Sequence, residues 1–165
     1  MCSSDLNEII LLQHPDTTEP DKTSEQIHAT LNAIIRSKNN FIVIGPNIDP
    51  GNSSIKKQIQ KFMKYNNFVF FSSISRSDYL GLLKNCKILI GNSSSGIIES
   101  TLFKIHVINI GKRQHGRERG PNVIDIPEFS EQLIFKAIKK ALSVPKSSLK
   151  TDRKSTRLNS SHQII

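Results

Sequence analysis

Residues 87–111, KILIGNSSSGIIESTLFKIHVINIG, decide the fold. An apolar run, KILIG (87–91), gives way to small polar residues, SGIIESTLF (95–103) follows with helical spacing, and HVINIG (106–111) is mostly apolar again. Strand, loop, helix and strand in that order form a parallel crossover unit, because a strand apolar at every position is buried on both faces. The alternation continues outward in both directions. Further strands are expected at 8–13, 40–45, 67–73 and 122–126, with amphipathic helices at 24–38, 53–65, 75–86 and 130–142. Ser53 or Ser54 is the expected cap of the helix at 53–65. Strands and helices that alternate throughout define an α/β fold: a Rossmann-like doubly wound parallel sheet with helices on both faces.

At 165 residues the chain has room for one domain with a substantial core. That domain is expected over 7–145. The ends, 1–6 and 146–165, are compositionally detached from the middle and are expected to be disordered or non-native. The net charge of +9 raises the possibility of a nucleic-acid partner, but much of the excess lies in the segment 146–162 and in GKRQHGRER (111–119). Nucleic-acid binding by stacking also needs aromatics on the binding face, whereas the Phe residues here fall mostly in strands and on helix faces. Nucleic acid is therefore not an expected partner. No apolar run is long enough to span a bilayer and the N-terminus lacks the apolar core of a signal peptide, so neither membrane nor export is expected. Two cysteines, Cys2 and Cys86, make no disulfide framework, which points to the cytoplasm. Cys86 reads as a small buried hydrophobe.

The stretch GNSSSG (91–96) follows the strand KILI, at the sheet edge where open α/β folds bind ligands. Consecutive backbone N–H groups at a helix N-terminus form an anion site suited to phosphate. Glu99 lies one turn further on, on the face of Ser95, where a carboxylate can accept hydrogen bonds from a ribose diol. The plainer reading is a helix cap, since Ser and Asn cap well and Glu suits the first turn. A capping box needs a spacing of three, whereas Ser95 and Glu99 are four apart. Three further loops reach the same edge. LLQHPDTTE (11–19) brings His14, GPNIDPG (45–51) brings Asn47 and Asp49, and NIGKRQHGRERG (109–120) brings Arg113, Arg117 and Arg119. Arginine suits bidentate contacts to phosphate, and histidine titrates near neutrality. Each loop alone is also explained as a turn or a solvated surface.

Taken together, HPDTTE (14–19), PNIDPG (46–51), IGNSSSGIIE (90–99) and NIGKRQHGRERGPNVIDI (109–126) resemble the hydrolysing UDP-N-acetylglucosamine 2-epimerases, in particular the branch that makes N-acetylmannosamine for sialic-acid-type sugars. The resemblance runs from about Ile9 to about Leu142. It implies the C-terminal half of a glycosyltransferase-B-like enzyme of two Rossmann-like domains, with the active site in the cleft between them. It further implies His14 as the active-site histidine of this half. Ser93, Ser94 and Ser95 would hold the diphosphate, Glu99 the ribose and Arg113 the phosphate or sugar region, with Asn47 near the substrate and Arg117 a weaker transfer. Where the family usually has Gly then Pro before the NIG strand, this chain has Lys104 and His106.

The implied reaction is anti elimination of UDP from UDP-GlcNAc, then addition of water to the 2-acetamidoglucal to give N-acetylmannosamine. The acidic residues that serve the C2 proton belong to the other, N-terminal domain, so this chain alone is expected to bind nucleotide weakly and without turnover. No metal or cofactor is called for, and a homodimer is expected of the full-length enzyme. A UDP-sugar glycosyltransferase of the same architecture is the rival enzyme and would transfer the sugar to an acceptor. A non-catalytic nucleotide-binding domain would show binding alone.

Overall fold

A computed structural model describes residues 9–16, 19–46 and 51–149. Among the described residues six strands form one sheet: β1 (Ile9–Leu12), β2 (Phe41–Ile44), β3 (Phe68–Phe71), β4 (Ile88–Gly91), β5 (His106–Ile110) and β6 (Val123–Ile126). Five α-helices accompany them: α1 (Thr23–Arg36), α2 (Asn52–Phe62), α3 (Arg76–Asn85), α4 (Ser94–Phe103) and α5 (Glu131–Ser143). The sheet order is β3-β2-β1-β4-β5-β6, and every pairing is parallel. The chain therefore winds outward from β1 to one edge, crosses back, and winds outward from β4 to the other. The reversal between β1 and β4 opens a crevice at their carboxyl ends.

Side-chain alternation along the strands splits the core into two layers. Ile9 and Leu11 of β1 and Ile88 and Ile90 of β4 join Ile27, Leu31 and Ile34 of α1, Ile55 and Ile59 of α2 and Ile134 and Ile138 of α5. The opposite positions, Ile10, Leu89 and Val107, pack with Tyr79 and Leu83 of α3 and with Cys86. Helices thus cover both faces, as the uniformly apolar strands require. The edge strand β3 departs from that rule. Val69 is 48% exposed and Phe71 39%, because β3 is bordered by β2 alone and its outer face is incompletely covered. Cys86 is fully buried and carries no disulfide. Among the described residues no helix is long and apolar enough to cross a membrane.

Helix starts differ in how they are capped. Ser75 Oγ accepts from Asp78 N–H at 3.1 Å at the start of α3, and Ser130 Oγ accepts from Leu133 N–H at 3.4 Å at the start of α5. Neither Ser53 nor Ser54 caps α2. That helix begins one residue earlier, with Gly51 at the cap position in a left-handed conformation (φ +93°) that glycine adopts without steric cost.

The turn between α4 and β5 explains the departure at Lys104. Lys104 closes α4 at φ +51°, the left-handed position usually held by glycine. His106 begins β5 with its ring nitrogen Nε2 3.0 Å from the Val144 carbonyl, tying the end of α5 to the sheet. Lys104→Gly is expected to raise stability by roughly 1 kcal/mol, since an L-residue in this region costs about 1–2 kcal/mol and glycine's greater chain entropy offsets part of the gain. A lower urea midpoint for the variant would contradict this account. Beyond α5, a single 3-10 turn spans Lys146–Ser148, within the segment set apart on composition.

Candidate functional site

The carboxyl edge of the sheet is held together by one buried asparagine. Asn92, 1% exposed and directly after β4, grips the main chain of His14 at both ends. The His14 N–H donates to Asn92 Oδ1 at 2.7 Å, and Asn92 Nδ2 donates to the His14 carbonyl at 2.9 Å. Gln114 Nε2 in turn donates to the Asn92 carbonyl at 2.9 Å. The loop after β1, the loop after β4 and the basic loop after β5 are thereby fixed to one another.

The basic loop is ordered by its own arginines. Arg113 Nη1 donates to the Pro15 carbonyl at 2.9 Å, which draws this guanidinium to the corner beside His14. Arg119 bridges Asp125 Oδ2 at 2.7 Å and the Gln114 carbonyl at 2.6 Å, and Asn109 Nδ2 holds the other Asp125 oxygen at 2.7 Å. Arg117 lies exposed further along the loop. Arg113 is thus held to the main chain next to His14, and the Arg117 N–H donates to the Gln114 carbonyl at 3.4 Å.

The serine loop is not spent on capping. Ser93 occupies the cap position of α4 but makes no side-chain cap hydrogen bond. Its hydroxyl lies 3.0 Å from Ser95 Oγ, and Ser95 Oγ lies 2.6 Å from the Tyr79 phenol oxygen. Ser94 is the first residue of α4, so the serines ride at the positive end of that helix. Tyr79 is 8% exposed, and burial pushes its phenol up to about 12. The neutral phenol is thus favoured in the folded chain, so the stability it confers is complete below the ordinary value of 10.0 and lost as pH rises through about 12.

Glu99 is 6% exposed and meets Arg76, at the start of α3, with 2.5 Å between Arg76 Nη2 and Glu99 Oε1. Its other oxygen, Oε2, is buried without a hydrogen-bond partner among the described residues. A buried carboxylate oxygen in that state is costly unless a donor arrives. Arg76, by contrast, has a side chain 71% exposed and stands at the mouth of the site.

Beside these groups lies a cavity of about 700 Å³, within the usual range for small-molecule sites; Glu99, Arg113 and Ser95 are not among its lining residues. His14 and Ser93 line it from the crevice between β1 and β4, Arg76 and Tyr79 from α3, and Pro46 and Lys56 from the β2 side. Asn47 and Asp49 lie outside the described residues. Sequence reasoning missed Arg76 and Tyr79. The signal was present, because ISRSDY (74–79) follows β3 and therefore reaches the same carboxyl edge as the other four loops. No group of three or more His, Cys, Asp or Glu residues suited to a metal ion occurs among the described residues.

Similarity to known proteins agrees with this geometry. The family model for UDP-N-acetylglucosamine 2-epimerase matches residues 4–164. The chain is 43% identical over 120 residues to a polysialic acid biosynthesis protein P7 of Escherichia coli, covering 72% of this chain and 31% of that protein. It is 33% identical over 137 residues to a hydrolysing UDP-N,N'-diacetylbacillosamine 2-epimerase of Legionella pneumophila, covering 83% and 36%. A UDP-N-acetylglucosamine 2-epimerase of Neisseria meningitidis is 36% identical over the same length and shares. The chain thus spans about a third of the length of these curated relatives. Among solved structures, a Methanocaldococcus jannaschii UDP-GlcNAc 2-epimerase in complex with UDP-GlcNAc and UDP superimposes with a TM-score of 0.69 at 15% identity, over 93% of this chain and 45% of that one. An Escherichia coli heptosyltransferase with ADP superimposes at 0.60 and 12% identity, over 86% and 46%. The low identities make these two a likeness of fold, which glycosyltransferases share. The sequence match, extending over nearly the whole chain, places it in the UDP-N-acetylglucosamine 2-epimerase family.

Proposed function

We propose that this chain is the UDP-binding, C-terminal part of a hydrolysing UDP-N-acetylglucosamine 2-epimerase, which converts UDP-GlcNAc and water into N-acetylmannosamine and UDP. The observation that carries the reading is the cavity at the reversal between β1 and β4, where His14 and Ser93 share one wall. The diphosphate sits against the N-terminus of α4, with Ser93 and the main chain of Ser94 and Ser95 supplying donors. A ribose hydroxyl donates to the unmatched Oε2 of Glu99, while Arg76 keeps Oε1. Arg113 and His14 stand on the side where the glycosidic oxygen departs, and Arg117 lies on the same loop as Arg113. Asn47, which follows β2 in the sequence, is the remaining candidate for the substrate side.

In the first step the C1–O bond breaks with its electron pair leaving on UDP, and the C2 proton is lost to a base. Water then adds across the resulting C1–C2 double bond. This chain contributes positive charge and donors to the leaving group. The base for C2 comes from an N-terminal domain that completes the cleft, in a cytoplasmic enzyme that assembles as a homodimer. UDP-GlcNAc is the preferred substrate reading, although the relatives include enzymes named for a diacetylbacillosamine sugar.

Titration calorimetry tests the proposal. The chain is expected to bind UDP saturably, with Glu99→Ala and Arg113→Ala each weakening binding by about tenfold or more, the scale of a hydrogen bond to a charged group. It is also expected to release no UDP from UDP-GlcNAc on its own. Absence of UDP binding, or binding indifferent to both substitutions, refutes the assignment.

A further inference from the structure

We propose that Tyr79 is a positioning residue of this site: its phenol donates to Ser95 Oγ, Ser95 donates to Ser93 Oγ, and the Ser93 hydroxyl proton is thereby aimed into the cavity at an anionic ligand oxygen. The inference rests on the nucleotide reading of the cavity and assigns a function to a residue outside the serine loop.

The three oxygens form a continuous chain, with Tyr79 and Ser95 2.6 Å apart and Ser95 and Ser93 3.0 Å apart. Each hydroxyl has one proton and two lone pairs, so two orientations run the whole length of the chain. In one, protons run from Ser93 through Ser95 to Tyr79, and Ser93 presents lone pairs to the cavity. In the other, they run from Tyr79 toward Ser93, which is left free to donate outward. In a third arrangement Ser95 accepts from both neighbours, and Ser93 again presents lone pairs to the cavity. A negatively charged ligand repels the first and the third and selects the second. Tyr79 suits the head of such a chain. It is buried, and burial keeps its phenol protonated far above neutral pH, so the donor is kept throughout the neutral range.

Location supports the same assignment. Tyr79 and Ser93 both line the cavity, while Ser95 stands between them. Ser93 is free for this because it makes no side-chain cap hydrogen bond to α4. Hydrogen bonds in series polarise one another, so a donor two links away strengthens the last one. The chain acts on the phosphate end of a nucleotide and not on its base or ribose.

The test is calorimetry on the chain as it stands, titrating UDP and, separately, uridine. Tyr79→Phe removes one oxygen and keeps the packed ring. It is expected to weaken UDP by about three- to tenfold and to change uridine binding less than about twofold. Ser95→Ala cuts the same chain and is expected to show the same split. The double variant is expected to be little worse than either single one, because links in series are not additive. A merely structural role for the phenol predicts equal losses for UDP and uridine. That outcome, or unchanged UDP affinity in Tyr79→Phe, overturns the relay while leaving the nucleotide site intact. Failure of the unsubstituted chain to bind UDP overturns both.

Discussion

Gly91→Ala is expected to destabilise the domain by about 4 kcal/mol, the sum of roughly 1–3 for a strained backbone and roughly 1–3 for overpacking. Gly91 ends β4 at φ +141° and pairs with Leu12 of β1. A methyl group there would lie 1.9 Å from the Leu12 carbonyl oxygen and 2.6 Å from its carbon. Both atoms are backbone in the central strand pair, so relief requires the two strands to separate at the point where the site opens. Gly45 repeats the device between β2 and β3, where a Cβ would meet the Ser72 carbonyl oxygen at 2.4 Å. Close approach at these strand ends is what lets the following loops diverge around the cavity. A domain's whole stability is about 5–15 kcal/mol, so the Gly91 change removes a large share of it. The readout is the urea midpoint followed by circular dichroism; a midpoint within experimental error of the unsubstituted chain would show that the strands yield cheaply.

The strands were legible because each carries its own evidence. Ile9–Leu12 and Ile88–Gly91 are apolar throughout, His106–Ile110 is interrupted only by His106 and Asn109, and α1, α2 and α5 have a clear period. The exposure of Val69 and Phe71 was not legible in the same way. Their run looks like any buried strand, and only the sheet order reveals that β3 lies at an edge. The site shows the same division. His14, the serines and Arg113 were legible as candidates because they lie in or beside loops at the carboxyl edge, and Glu99 because it follows the serine loop by one helical turn. Tyr79 and Arg76 were not, because they sit on a helix whose apolar spacing accounted for the segment without them. Their partners, Ser95 and Glu99, lie 16 and 23 residues further on in another helix. Pairings of that kind follow from how α3 and α4 pack on one face of the sheet, which no local pattern records.

Asn92→Leu is expected to cost about 3 kcal/mol and to abolish UDP binding at concentrations that saturate the unsubstituted chain. Leucine keeps asparagine's branched heavy-atom skeleton, so the substitution opens no large cavity. It leaves the His14 N–H and carbonyl without their present partner, and each such buried group costs about 1–3 kcal/mol. The loop after β1 then loses its register against β4, and His14 leaves the cavity wall it shares with Ser93. Asn92→Asp separates the hydrogen bonds from the packing. Ionised, the new carboxylate still accepts from the His14 N–H but repels the His14 carbonyl. Protonated, it serves both. Its acid is therefore raised in the folded chain above the ordinary aspartate value of about 3.9. A raised acid binds more protons folded than unfolded, so its contribution is complete at low pH and lost as pH rises through the raised value. Measured against the unsubstituted chain, the destabilisation of Asn92→Asp should shrink as pH falls from about 7 to about 4, whereas that of Asn92→Leu should not change. Equal pH dependence in the two variants would mean that Asn92 fills space at the edge of the sheet and does not hold His14 by its hydrogen bonds.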